Sequence, residues 1–89
     1  MKAVVTVVGK DRVGIIAETC VALASYNVNV LDISQTVMES YFTMMMVVDV
    51  SKCTVSVTEL CKAMDAKGQE MGLSIRVQRE DIFEAMHRV

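Results

Sequence analysis

The sequence contains no proline or tryptophan, one histidine and three cysteines, and only 4% of its residues are aromatic. A disulfide framework or a zinc site needs more than this, because Cys20, Cys53 and Cys61 include no C-x-x-C spacing. Cys20 and Cys61 lie in helical patterns, where a free cysteine behaves as a small apolar residue. We therefore expect structural thiols and no metal site.

The sequence also lacks long apolar runs and clusters of basic residues. No stretch approaches the roughly 18 apolar residues of a membrane span. The formal net charge is −2, and no five Lys or Arg residues cluster, which disfavours nucleic-acid binding. The first eight residues are too short an apolar segment for a signal peptide. We expect a cytoplasmic protein without nucleic-acid or membrane partners.

The chain has 89 residues, of which 53% are hydrophobic. This length predicts one domain, residues 1–89, whose small core buries only about two-thirds of the unfolded surface. Apolar residues that exceed such a core favour a partner surface. Oligomerisation is the expected consequence.

The first part of the chain predicts a strand, a loop and a helix. Lys2–Val8 is rich in β-branched residues, Gly9–Gly14 is a loop, and Gly14–Ser25 follows helical spacing. Asp11 is a candidate cap for this helix. The helix is expected to end at Tyr26-Asn27, since Asn tolerates the left-handed conformation.

Residues 28–50 predict a β-hairpin with Glu39-Ser40 as its turn, so that Met38 pairs with Tyr41. One face is predicted to carry apolar residues and one polar exception, namely Leu31, Ile33, Gln35, Val37, Phe42, Met44, Met46 and Val48. The opposite face of the sheet is expected to hold a strip formed by Val4, Val8, Val30, Met45 and Val47. That strip is either an interface or half-exposed sheet.

A second helix, a fourth strand and a short tail helix complete the pattern. Ser56 and Glu59 match a capping box, and Gly68 or Gly72 ends the helix behind it. Residues 73–79 alternate as a strand, and residues 81–89 return to helix formers. The predicted fold is α+β: a ferredoxin-like βαββαβ sandwich, with a four-stranded antiparallel sheet, two helices on one face and a short C-terminal helix.

Catalytic groups are scarce, so we expect no enzymatic activity. His87, the single histidine, is interpreted as an exposed residue of the tail. The loop Gly9–Gly14 lacks the Gly-Lys-Ser/Thr ending of a phosphate-binding loop. No cofactor is expected.

The loop between the first strand and the first helix is the most promising site. Helix N-termini present free N–H groups, which suit a carboxylate, and Gly14 allows close approach. Asn29, at the start of the second strand, is expected near this loop, with a donor and an acceptor for an amino acid. A capped helix and an ordinary Asn are the alternative interpretation.

The sequence resembles an ACT domain over essentially its whole length. Residues 7–17 resemble the family's opening strand, its D-R-P-G-[IV] loop and its first helix, and Tyr26–Val30 resembles the G-x-N-I segment. Residues 33–37, 41–45 and 82–86 resemble small stand-alone ACT proteins of bacteria and archaea. These proteins are related to glycine-cleavage repressor-type ACT proteins.

The resemblance implies a regulatory module that dimerises and binds an amino acid at the dimer interface. The implied ligand-binding residues are Asp11, Arg12, Val13, Gly14, Ile15 and Asn29. Val13 replaces the usual proline, and Gly9 stands where serine-binding members have histidine. A stand-alone sensor then needs a regulated protein partner or a change of assembly. The alternative function is a protein-interaction module without a small ligand, which docks through the uncovered sheet face or an edge strand.

Overall fold

The computed structural model describes residues 1–86, which contain seven elements. They are β1 (Lys2–Lys10), α1 (Ile15–Ser25), β2 (Asn29–Met38), β3 (Tyr41–Asp49), α2 (Val57–Met71), β4 (Ser74–Arg79) and α3 (Glu80–Met86). The predicted tail residue His87 lies outside the described residues. Among those residues, no helix is both long and apolar enough to cross a membrane.

The four strands form one sheet in the order β2-β3-β1-β4, and every neighbouring pair is antiparallel. β2 and β1 are both antiparallel to β3, so they run parallel to each other. Residues of α1 and α2 join one face of the sheet in a single core, which confirms the ferredoxin-like prediction. That core consists of Ala3, Val5, Val7, Ile15, Leu23, Val28, Phe42, Met44, Met46, Val48, Val50, Leu60, Met64, Leu73, Ile75 and Val77.

The hairpin has the predicted register. Met38 pairs with Tyr41, and Glu39 takes a left-handed conformation with φ 57° in the turn between them. A β-bulge between Val30 and Asp32 then shifts the pairing at the other end of β2. Val30 therefore pairs with the core residue Val48 and packs against the core, so its predicted place in the outer strip is wrong.

The outer face of the sheet is partly covered. α3 packs against β1 and β4, and Val4 is only 5% exposed, although alternation places it opposite the core. Its predicted exposure in the strip is therefore wrong, because the tail helix lies on those two strands. Val8 and Met45 remain exposed on this face.

The two main helices begin and end differently. Ser56 caps α2 by accepting a hydrogen bond from the Glu59 N–H at 3.1 Å, as the capping box predicts. Gly72 ends that helix in the left-handed conformation. α1 begins at Ile15 with Gly14 as its N-cap and has no side-chain cap, so the prediction of an Asp11 cap is wrong.

β1 runs two residues further than expected, to Lys10, whereas α1 begins within one residue of the prediction. Gly9 pairs with Phe42, and Lys10 pairs with Tyr41. A Cβ atom on Gly9 would clash with Leu73 Cδ2, so glycine lets the strand pass beneath Leu73, which lies two residues after the end of α2. The predicted Asn27 terminator is confirmed, with φ 61° just after α1.

Candidate functional site

The loop from β1 to α1 lies against the tip of the β2–β3 hairpin. The Asp11 backbone N–H donates a hydrogen bond to the Ser40 carbonyl oxygen at 2.8 Å. This contact joins two segments that are far apart in sequence and holds the loop in a defined place. A fixed loop is the first requirement for a preformed binding site.

A cavity of about 450 Å³, here called the loop cavity, opens between this loop and the end of β2. Its volume falls within the range typical of small-molecule sites. The residues that line it are Asp11, Arg12, Gly14, Ile15, Ile16, Ala17, Gln35, Val37 and Phe42. Charged and amide groups lie at its walls, and Ile15 and Phe42 contribute buried apolar surface.

The first turn of α1 contributes one wall of the cavity. Gly14 has φ 92° and ψ −1°, a left-handed conformation that other residues rarely adopt. Its carbonyl accepts the Glu18 N–H at 2.9 Å, which closes the first turn. No side chain caps this turn, whose residues line the cavity, so uncapped N–H groups and the positive end of the helix dipole lie beside it. This environment suits a carboxylate.

Four of the six residues implied by the family resemblance meet at this cavity, namely Asp11, Arg12, Gly14 and Ile15. Val13 is 97% exposed and is not among the lining residues. Its side chain lies in solvent at the outside of the loop.

Asn29 lies at the other end of the sheet. It pairs with Asp49, whereas the loop follows Lys10, which pairs with Tyr41. Because β1 and β2 are parallel, the start of β2 lies at the same end of the sheet as the start of β1, with β3 between them. Asn29 is therefore six to eight residues, or about 20–26 Å along the strand, from the cavity residues Gln35 and Val37. The prediction that it lies near the loop of the same chain is wrong.

Three residues of the hairpin line the cavity although the sequence patterns do not predict them there. The alternation places Gln35, Val37 and Phe42 on the apolar face of the hairpin, and the cavity lies where that face meets the loop. Gln35 is the polar exception on this face. An amide among apolar neighbours is thus the signal in the sequence that points to this wall of the cavity.

β2 is an edge strand whose side chains are almost all exposed. Nine of its ten residues are exposed, and Val30 is half-buried. The apolar side chains Leu31, Ile33 and Val37 are 48%, 41% and 50% exposed. The predicted core face of the hairpin is thus buried along β3 and open along β2. An open apolar edge of this length favours pairing with another strand.

A second cavity, of about 610 Å³, lies between α1 and α2. The residues that line it are Ala17, Glu18, Val21, Ala22, Ser25, Tyr26, Ala63, Met64, Ala66, Lys67 and Glu70. Four of these residues are alanines, whose short side chains leave space between the helices. We call this cavity the helix groove.

The titratable groups with shifted pKa values lie outside the loop cavity. Hydrogen bonds from Ser51 lower the pKa of Asp49, and burial raises the pKa of the Cys61 thiol. The hydrogen bonds that Arg79 donates to Asp81 lower the pKa of the Asp81 carboxyl group. Within residues 1–86, no group of three His, Cys, Asp or Glu side chains is placed to hold a metal ion.

Comparisons with known proteins agree with this architecture. A UPF0237 protein of Clostridium acetobutylicum is 51% identical over the full length of both chains. UPF0237 proteins similar to this chain also occur in archaea. The structure of an ACT domain protein from Streptococcus pneumoniae is 46% identical, covers 98% of each chain and has a TM-score of 0.83.

A further solved structure is provisionally named a glycine cleavage system transcriptional repressor. It is 25% identical, with a TM-score of 0.73, and the match covers 88% of this chain and 44% of that one. The family model described as ACT domain matches residues 2–78. This chain therefore belongs to the ACT domain family of regulatory proteins.

Proposed function

We propose that this protein is a regulatory domain without catalytic activity, which binds an amino acid at the interface of a homodimer. The observation that carries the proposal is the loop cavity, which joins the start of α1 to the exposed edge strand β2. Its polar groups match an amino acid: free N–H groups for a carboxylate, and the Asp11 carboxylate for an ammonium group. Gln35 adds one amide with both a donor and an acceptor.

The edge strand gives the dimer its geometry. In two copies related by a two-fold axis, the β2 strands would run antiparallel. With the axis near the middle of β2, at Ile33, the partner's Asn29 faces Val37, which lines the cavity. In this arrangement Asn29 contributes to the cavity of the other chain. Its distance from the loop of its own chain therefore supports a site at the interface between two chains.

β4 is a poorer edge for such pairing. It has six residues, carries Arg76 and Arg79 on exposed positions, and continues directly into α3. Short, charged edges resist pairing with another strand. β2 has ten residues and no Lys or Arg.

The proposal treats residues 1–89 as one domain in the cytoplasm, acting on a regulated protein partner. The family match over residues 2–78 supports the single domain. The three free cysteines suit a reducing compartment. No cofactor enters the proposal.

The alternative is a docking module without a small ligand. The exposed side chains of Val8 and Met45 on the outer sheet face favour it, because apolar groups on an otherwise hydroxyl-rich face fit a protein surface. A thermal-shift experiment against the twenty amino acids separates the two functions.

A selective amino acid should raise the melting temperature of the protein. At about 100 times its dissociation constant, a ligand adds roughly 2.7 kcal/mol, and each kcal/mol corresponds to roughly 4–8 °C for a domain of this size. Asn29→Ala and Gln35→Ala should reduce the shift, whereas the exposed α2 variant Gln69→Ala should retain it. A flat response from folded protein would contradict amino-acid binding and favour the docking module.

A further inference from the structure

Arg12 lines the loop cavity, yet its guanidinium group is paired with a side chain outside it. Arg12 Nη2 donates to Glu18 Oε2 at 3.1 Å, and Nη1 donates to the Val13 carbonyl at 3.2 Å. Glu18 does not line the loop cavity and instead lines the helix groove. The cationic group of this lining residue is therefore already engaged by a carboxylate of the same chain.

This ion pair is suited to exchange. The side chains of Arg12 and Glu18 are 41% and 46% exposed, and an ion pair with such access to water is weak. A released Glu18 stays solvated in the first turn of α1, where a carboxylate is favourable next to the helix dipole. A guanidinium group can bind a planar carboxylate through two parallel hydrogen bonds, whereas Arg12 donates only one to Glu18 here.

We propose that Glu18 competes with the carboxylate of the bound amino acid for Arg12 and thereby sets the affinity of the loop cavity. The inference rests on the proposed function and names the group that receives the ligand carboxylate. In the free protein Glu18 holds the guanidinium at the cavity wall. In the bound protein the ligand carboxylate takes its place, beside the N–H groups of the first turn of α1.

The competition can be tested without a known ligand, with acetate as a carboxylate probe. Amide signals of Ile15, Ile16 and Ala17 are followed by NMR in ¹⁵N-labelled protein, while acetate replaces chloride at constant ionic strength. Glu18→Gln should bind acetate up to about fivefold more tightly than wild type, since the competitor is a surface ion pair. Arg12→Gln should bind it several times more weakly.

Glu70→Gln is the matched control. Glu70 also lines the helix groove and is paired, with Lys67 at 3.5 Å, but it does not contact Arg12. Its acetate affinity should equal that of wild type. Equal affinities in wild type, Glu18→Gln and Arg12→Gln would overturn the inference.

The same variants separate this inference from the proposed function. If an amino acid from the thermal-shift panel binds with one dissociation constant to wild type, Glu18→Gln and Arg12→Gln, the competition is refuted and the sensor stands. If the acetate affinities of the three proteins follow the predicted order while every amino acid fails to bind, Arg12 is a carboxylate site and the amino-acid sensor is refuted.

Discussion

Gly14 and Gly68 show how single glycines determine the local structure of this chain. Gly14 takes a left-handed conformation that begins α1 without a side chain over its first turn. Gly68 lies inside α2, where glycine is unfavourable by about 1 kcal/mol relative to alanine. It is buried against β4 and the segment leading into it, and its carbonyl accepts the Leu73 N–H at 2.7 Å. Close packing therefore explains a residue that helix propensity alone disfavours.

Gly68→Ala is expected to destabilise the protein, although alanine is the better helix former. The new Cβ would lie 2.8 Å from the Leu73 carbonyl oxygen and 3.1 Å from the Ile75 nitrogen. Both are backbone atoms that cannot rotate away, so overpacking should cost about 1–3 kcal/mol net. Urea denaturation at a fixed protein concentration measures the free energy of unfolding.

The exposed position Ala66, on the same helix, provides the control. Ala66→Gly should cost about 1 kcal/mol through helix propensity alone. A Gly68→Ala variant more stable than wild type would show that α2 and β4 can separate without loss.

At the scale of elements, local patterns predicted most of the chain. The capping box located the start of α2, and alternation with a two-residue turn set the register of Met38 with Tyr41. The bulge between Val30 and Asp32 was not predictable, since neither glycine nor any other local signal marks it. Its consequence is large, because one extra residue moves Val30 to the core side.

The junction of β4 and α3 is held by an ion pair that pH should break. Arg79 Nη2 lies 2.7 Å from Asp81 Oδ2, and this hydrogen bond lowers the pKa of the Asp81 carboxyl group. A carboxyl whose pKa is lower in the folded state stabilises the protein at neutral pH. That contribution is lost as the pH falls through the folded pKa, below the ordinary value of 3.8.

Arg79→Gln should therefore raise the pKa of Asp81 towards its ordinary value. An NMR titration of the side-chain carboxyl carbon between about pH 1.5 and pH 6 follows the change directly. Arg76→Gln removes an exposed arginine from the same strand and should leave the Asp81 pKa unchanged. An unchanged Asp81 pKa in Arg79→Gln would mean that the ion pair is not formed in solution.

At the scale of the whole molecule, the candidate site depends on long-range geometry. Sequence patterns indicated the loop between β1 and α1, because helix starts and glycines leave local signals. The family resemblance supplied the lining residues Asp11, Arg12, Gly14 and Ile15. They could not show that Gln35 reaches the same cavity, since this requires the sheet order and the direction of β2. The misplacement of Asn29 has the same cause: two parallel strands begin at the same end.

The edge strand predicts how two copies associate. Ile33 is 41% exposed at the middle of β2, where a two-fold axis would bring it against its own copy. Ile33→Lys places like charges face to face there and removes apolar contact, so the dimer should dissociate. Light scattering coupled to size-exclusion chromatography at micromolar concentration measures the mass of each species.

Ile82→Lys is the matched control for this dimer, because Ile82 is 46% exposed but lies on α3, away from β2. It should retain the dimeric mass. In the proposed dimer, Asn29 of the partner subunit would lie at the cavity, so Ile33→Lys should also lose the thermal shift with amino acids. A monomeric Ile33→Lys variant that still responds to an amino acid would show that one chain forms the complete site. Dissociation by Ile82→Lys instead would move the interface to the outer sheet face.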